Sequence, residues 1–114
     1  MSHLILVAIR PGDVIFTPNP TYPIHEFGFL ISGASVRHLP TSNGDEFLAA
    51  VSRACRHTVP KPIAMVLNFP SNPTAMTATR DFYDLERLWA AETDGGHCGF
   101  QLSVSTIARP WWLQ

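Results

Sequence analysis

The stretch DVIFTPNPTYPIH runs from Asp13 to His25 and joins two unlike halves. Its first half, Val14 to Pro18, is a short apolar run of β-forming residues bounded by prolines, which is the pattern of a strand buried in a parallel sheet. The second half is a cluster of asparagine, proline and threonine, after which Ile24, Phe27, Phe29, Leu30 and Ile31 recur at helical spacing. That spacing predicts a helix over 23–33, closed by Gly33.

The same alternation continues on both sides. Downstream, ASVRHLP predicts a strand over 35–39, and GDEFLAAVSRAC sets Phe47, Leu48, Val51 and Cys55 on one face of a helix over 45–56. IAMVLNF then predicts a third strand over 63–68, behind a PKP breaker. Upstream, HLILVAIRPGD reads as the last turns of a buried helix or as a short strand, stopped by Pro11 and Gly12. Strand alternating with helix at this rhythm predicts an α/β fold with parallel strands covered by helices. In such sheets ligands sit at the carboxyl ends of the strands. TPNPTYP (17–23) and NFPSNPT (68–74) both fall there, so Tyr22 and Asn72 belong on one edge and are expected to face a common shallow cleft.

Composition narrows the classes. The 114 residues make one domain, and a charged fraction of 15% with net charge −1 gives neither a nucleic-acid-binding surface nor disorder. Cys55 and Cys98 have no zinc-ligand spacing, and the pair His97–Cys98 reads as chance, so no metal site is expected. The longest apolar run, Leu4 to Ile9, is far short of the roughly 20 residues that span a bilayer. With no leader pattern at the start, a cytoplasmic protein without membrane or nucleic-acid partners is expected.

PGDVIFTPNPTYPIH followed by NFPSNPTA resembles the large domain of class I/II aminotransferases, the fold type I family dependent on pyridoxal phosphate, and within it the alanine and diaminopimelate-type transaminases. The resemblance covers residues 3–84. It implies a partial three-layer α/β/α fold, a homodimeric parent enzyme, and amino-group transfer between an amino acid and a 2-oxo acid. It also implies two cofactor-binding residues. Asn72 would supply a neutral donor to the ionised 3-oxygen of pyridoxal 5′-phosphate, aimed by the stiff Pro73, and Tyr22 would stack on the pyridine ring. By itself Asn72 reads equally well as a turn former, and a lone tyrosine as one packed under a loop. Ala75 stands where the family usually has glycine. Asn68 reads as a β-edge turn residue, and His25 and His38 as helix-surface and strand-end histidines.

Other parts of the family pattern are not found. The resemblance calls for a Schiff-base lysine and for an acid that pairs with the pyridine nitrogen in a D-x-A-Y stretch after the next strand. Lys61 is the single lysine, and it precedes a strand, on the edge opposite the expected site; Asp94 is the last acidic residue, followed by two glycines. The phosphate-binding loop and the distal arginine are missing too. No catalytic residue is therefore assigned.

TATRDFYDLERLWAA predicts a helix over 78–91 with Phe82, Leu85, Leu88 and Trp89 on one face, but no apolar strand follows directly. A late LSVSTI could pair as a strand. The expected division is a partial aminotransferase large domain over 1–84 and, over 85–114, the end of a helix and a divergent tail, which reads either as a frameshift or as an intended C-terminus. No D-x-A-Y-like continuation in the other two frames of the coding DNA would reject the frameshift. The reading is thus a truncated aminotransferase, inactive alone. Two alternatives are a non-catalytic chain that pairs with a full-length homologue, and a small α/β module that binds an anion at the Asn-Pro edge.

Overall fold

In the computed structural model, which describes residues 2–41, 44–79, 82 and 100–105, the expected alternation is realised. Helix α1 spans Ser2–Ala8 and leads through the Pro11–Gly12 turn into β1, Val14–Asn19. Helix α2 (Pro23–Ile31), strand β2 (Ser35–Pro40), helix α3 (Gly44–His57) and strand β3 (Pro62–Phe69) follow. A fourth strand, β4, covers Phe100–Ser105. The sheet order is β2-β1-β3-β4, and every neighbouring pair is parallel.

Two apolar layers hold the helices to the sheet. Strand alternation sends Val14 and Phe16 of β1 and Met65, Leu67 and Phe69 of β3 to one face, where they meet Phe47 and Val51 of α3. Ile15, Ala64 and Val66 take the other face and pack against Ile5 and Ile9 at the α1 side and Phe29 of α2. β1 is central, and its Ile15 and Phe16 are fully buried, which is why the run was apolar without alternation.

The helix ends follow from local chemistry. Past α2, Gly33 adopts φ +83°, its amide donates to the Leu30 carbonyl at 3.0 Å, and the Ala34 amide donates to Phe29 at 3.1 Å. These two bonds form a Schellman cap, which favours glycine at this position. α3 carries Asp45 and Glu46 in its first turn and Arg56 and His57 in its last, matching the helix dipole.

β4 takes in the first four residues of the late LSVSTI stretch, which the sequence offered as a strand, and begins two residues earlier, at Phe100. As an edge strand it need not be apolar throughout, and FQLSVS alternates instead of forming a continuous run. Of the helix expected over 78–91, Ala78 and Thr79 are not helical and Phe82 is. Leu85, Leu88 and Trp89 lie outside the described residues, as do His97 and Cys98.

Candidate functional site at the carboxyl edge

The parallel register of β1 and β3 places both asparagine-proline segments on one edge of the sheet. Tyr22 stands three residues past the end of β1 at Asn19, and Asn72 three residues past the end of β3 at Phe69. Neighbouring strands lie about 4.8 Å apart, so the two loops leave the sheet side by side. The Asn19–Pro20, Phe69–Pro70 and Asn72–Pro73 peptide bonds within them are cis. Thr41, just past β2, donates its hydroxyl to the Asn19 carbonyl at 3.0 Å and ties a third loop to this edge.

The loop after β3 closes on itself. Ala75 N–H donates to the Ser71 carbonyl at 2.7 Å, and Ser71 N–H donates to the Met76 carbonyl at 2.8 Å. Asn72 sits at the start of this tight turn with its side chain exposed. The closure requires φ +56° at Ala75, a left-handed conformation that disfavours a side chain. Ala75→Gly should therefore stabilise the chain by about 0.5–1 kcal/mol, because relief of roughly 1–2 kcal/mol of left-handed strain exceeds the entropy glycine adds to the unfolded chain. Urea unfolding of the two proteins checks it.

Tyr22 is the N-cap of α2, with its ring partly exposed and no side-chain capping bond. His25, one turn on, is not the surface histidine expected from sequence: it is 7% exposed, on the side of α2 that carries Phe29. Its ring meets Tyr22 edge-on, with centroids 5.8 Å apart and planes at 72°. The Nδ1 atom of His25 is buried and finds no hydrogen-bond partner among the described residues, and the same holds for the hydroxyl of Thr17. Thr17 shares its strand face with Ile15, so both unpaired groups belong to the layer between α2 and the sheet.

Burial pushes the His25 imidazole below its ordinary value of 6.5. The unfolded chain therefore binds this proton at a higher pH than the folded one, and acid favours unfolding. The stability contribution is complete above the unfolded value and is lost as pH falls through the lower, folded value. Urea midpoints taken between about pH 7.5 and pH 5 should fall more for the native chain than for His25→Leu.

His38, near the end of β2, lies 3.3 Å from Glu26 of α2. Asn68 is not an edge turn residue: it is half-buried inside β3, between β1 and β4 in the sheet. An apolar cavity of about 200 Å³ opens on the α3 side of this edge, lined by Thr41, Phe47, Phe69, Met76 and Phe82 among others. Neither Tyr22 nor Asn72 lines it, so it is not the shared cleft expected from sequence.

Lys61 immediately precedes β3 and so occupies the opposite edge. Its Nζ donates to the Cys55 carbonyl at 2.7 Å and to Arg56 at 3.4 Å, capping the end of α3. Eight strand residues place it roughly 25 Å from the Asn72 loop.

A parallel sheet between helices, with Tyr22 and Asn72 just past the carboxyl ends of two neighbouring strands, defines an α/β protein. The sequence profile described as "Aminotransferase class I and II" matches residues 1–90, and the chain belongs to that family. It is 55% identical over 82 residues to the putative aminotransferase AatC of Rhizobium meliloti, covering 72% of this chain and 20% of that protein. It is 44% identical over 84 residues to the glutamate-pyruvate aminotransferase AlaC of Escherichia coli, covering 74% of this chain and again 20% of the relative. The chain thus spans about a fifth of the length of these curated relatives. Among solved structures, a single mutant of the Thermus thermophilus aspartate aminotransferase superposes with TM-score 0.74 at 23% identity, over 91% of this chain and 26% of that one. Substrate-bound BacF of Bacillus subtilis does so with TM-score 0.62 at 27% identity, over 80% of this chain and 23% of that one. The fold is that of a part of a fold type I aminotransferase.

Proposed function

We propose that this chain carries the ring-holding part of a pyridoxal-phosphate-dependent aminotransferase and has no transaminase activity by itself. The parent activity is transfer of an amino group between an amino acid and a 2-oxo acid, in a cytoplasmic homodimer. The observation that carries this reading is the placement of Tyr22 and Asn72, each three residues past neighbouring parallel strands.

The residues at the edge fit the ring of the cofactor. Tyr22 offers a partly exposed aromatic face and Asn72 an exposed amide. The first would restrain the tilt of a pyridine ring, and the second would donate to its ionised 3-oxygen without adding a charge. When bound, the group supplies an electron sink for cleaving a bond at the amino acid's α-carbon. Its covalent anchorage does not fit, because the single lysine caps α3 at the far edge. The tail over 85–114 belongs to this proposal as a divergent segment, with the frameshift test stated above.

Titrating the 114-residue chain with pyridoxal phosphate, followed by its absorbance change, tests the site. Tyr22→Leu and Asn72→Ala should each weaken binding roughly fivefold, the equivalent of about 1 kcal/mol for a stacked ring or a hydrogen bond. Equal affinity in all three proteins would reject the assignment. No specific observation favours the anion-binding module or the homologue-pairing chain over this reading.

A further inference from the structure

Resting on the reading of Tyr22 as a cofactor-stacking residue, we propose that Glu26 and His38 form a positioning pair, which fixes the rotation of α2 about its own axis and with it the place of Tyr22 at the carboxyl edge.

The helix by itself has little to set that rotation. Apart from His25, Glu26 is the single ionisable residue of α2; Ile24, Phe27, Leu30 and Ile31 are exposed, and Phe29 packs toward the sheet. Apolar burial is non-directional, so a helix that is apolar on nearly all sides gains little from one small roll over another. Tyr22 stands at the N-cap and follows any such roll. At the outer radius of a helix, about 5–6 Å, a roll of about 20° displaces a side chain by about 2 Å, enough to spoil the overlap of a stacked ring.

Two contacts hold α2 from nearly opposite sides. Strand alternation puts His38 on the same face of β2 as Val36, which packs with the layer under α2. From there Nε2 of His38 lies 3.3 Å from Oε2 of Glu26, the one polar side-chain contact between α2 and the sheet among the described residues. Two positions on, about 200° around the helix, Gly28 lets α1 come so close that a Cβ there would meet Cδ1 of Ile5 at 2.9 Å. The Ile5 contact is apolar and ends on a flexible side chain, so the directional hold is that of the pair. A partly exposed pair adds little to stability, and its effect is expected in the placement of Tyr22 rather than in unfolding.

The test titrates pyridoxal phosphate into the 114-residue chain and its Glu26→Ala, His38→Ala, doubly substituted and Glu26→Gln variants, and records urea midpoints and the backbone amide resonances of Thr21 and Tyr22. Each alanine variant should bind roughly twofold to fivefold more weakly, and the double variant no more weakly than either single one. Glu26→Gln keeps a hydrogen-bonding group at the same reach and should bind as the native chain does. Midpoints should stay nearly level, and His38→Ala, though remote from Tyr22 in sequence, should shift the Thr21 and Tyr22 amides in the same direction as Glu26→Ala. In a Tyr22→Leu background neither alanine should weaken binding further. Opposite changes in the two single variants would overturn the proposal, because the charges would then act directly on the anionic cofactor. Additive losses in the double variant, or a further loss in the Tyr22→Leu background, would overturn it as well. If the native chain binds no cofactor, or Tyr22→Leu binds as well as the native chain, the cofactor reading fails. The amides then still decide whether the pair places Tyr22: shifted in both alanine variants they support it, and unmoved they overturn it.

Discussion

Replacing Phe16 by alanine should remove a large share of the chain's stability, about 3–5 kcal/mol, as truncations of fully buried aromatic residues do. Phe16 is fully buried in the central strand, level with Arg37 of β2 on one side and Met65 of β3 on the other. Its ring belongs to the layer formed with Phe47, Val51 and Leu67, so the lost volume opens between α3 and the sheet. A domain is stable by only about 5–15 kcal/mol, so this loss brings the chain near to unfolding. The control is Val59→Ala, at a residue 85% exposed, which should shift stability by less than about 0.5 kcal/mol. Urea midpoints measure both. A loss under about 1 kcal/mol at Phe16 would mean that the layer is not packed as described.

The second large effect is an absence of turnover. A coupled assay of the purified chain with alanine, 2-oxoglutarate and excess pyridoxal phosphate should give no rate above that of the free cofactor. Amino-group transfer in this family needs a lysine amine within bonding reach of the cofactor, and a group must be near the atom it serves before its pKa matters. Lys61 is held by the Cys55 and Arg56 carbonyls, roughly 25 Å along β3 from Asn72. Lys61→Ala should leave the background rate unchanged. Turnover that vanishes in this variant would contradict the placement of the lysine.

The parts of the fold that were legible in sequence are those where one physical rule acts alone. β1, β2 and β3 lie within one residue of the ranges predicted for them, because buried parallel strands leave short β-forming runs between proline and glycine breakers. Strand direction alone then put Tyr22 and Asn72 on one edge and Lys61 on the other. β4 was legible only as the late LSVSTI stretch, two residues out of register with its true bounds, since FQLSVS alternates and has no breaker of its own to mark its ends. The burial of His25 escaped for a related reason. α2 carries Ile24, Phe27 and Ile31 on its exposed side, so no polar stripe shows which side faces the sheet. The strain at Ala75 depends on the closure of the Ser71–Met76 loop, which a substitution of alanine for glycine only hints at.

The central claim is that the carboxyl ends of β1 and β3, and not the edge that carries Lys61, hold the ring of pyridoxal phosphate. Backbone amide resonances of the isotopically labelled chain, followed as the cofactor is added, locate the site directly. The shifts should gather at Thr21, Tyr22, Ser71, Asn72 and Thr74 and saturate together, with the amides from Thr58 to Lys61 unmoved. Shifts gathered around Lys61 and the end of α3, with the Tyr22 and Asn72 loops unchanged, would contradict it.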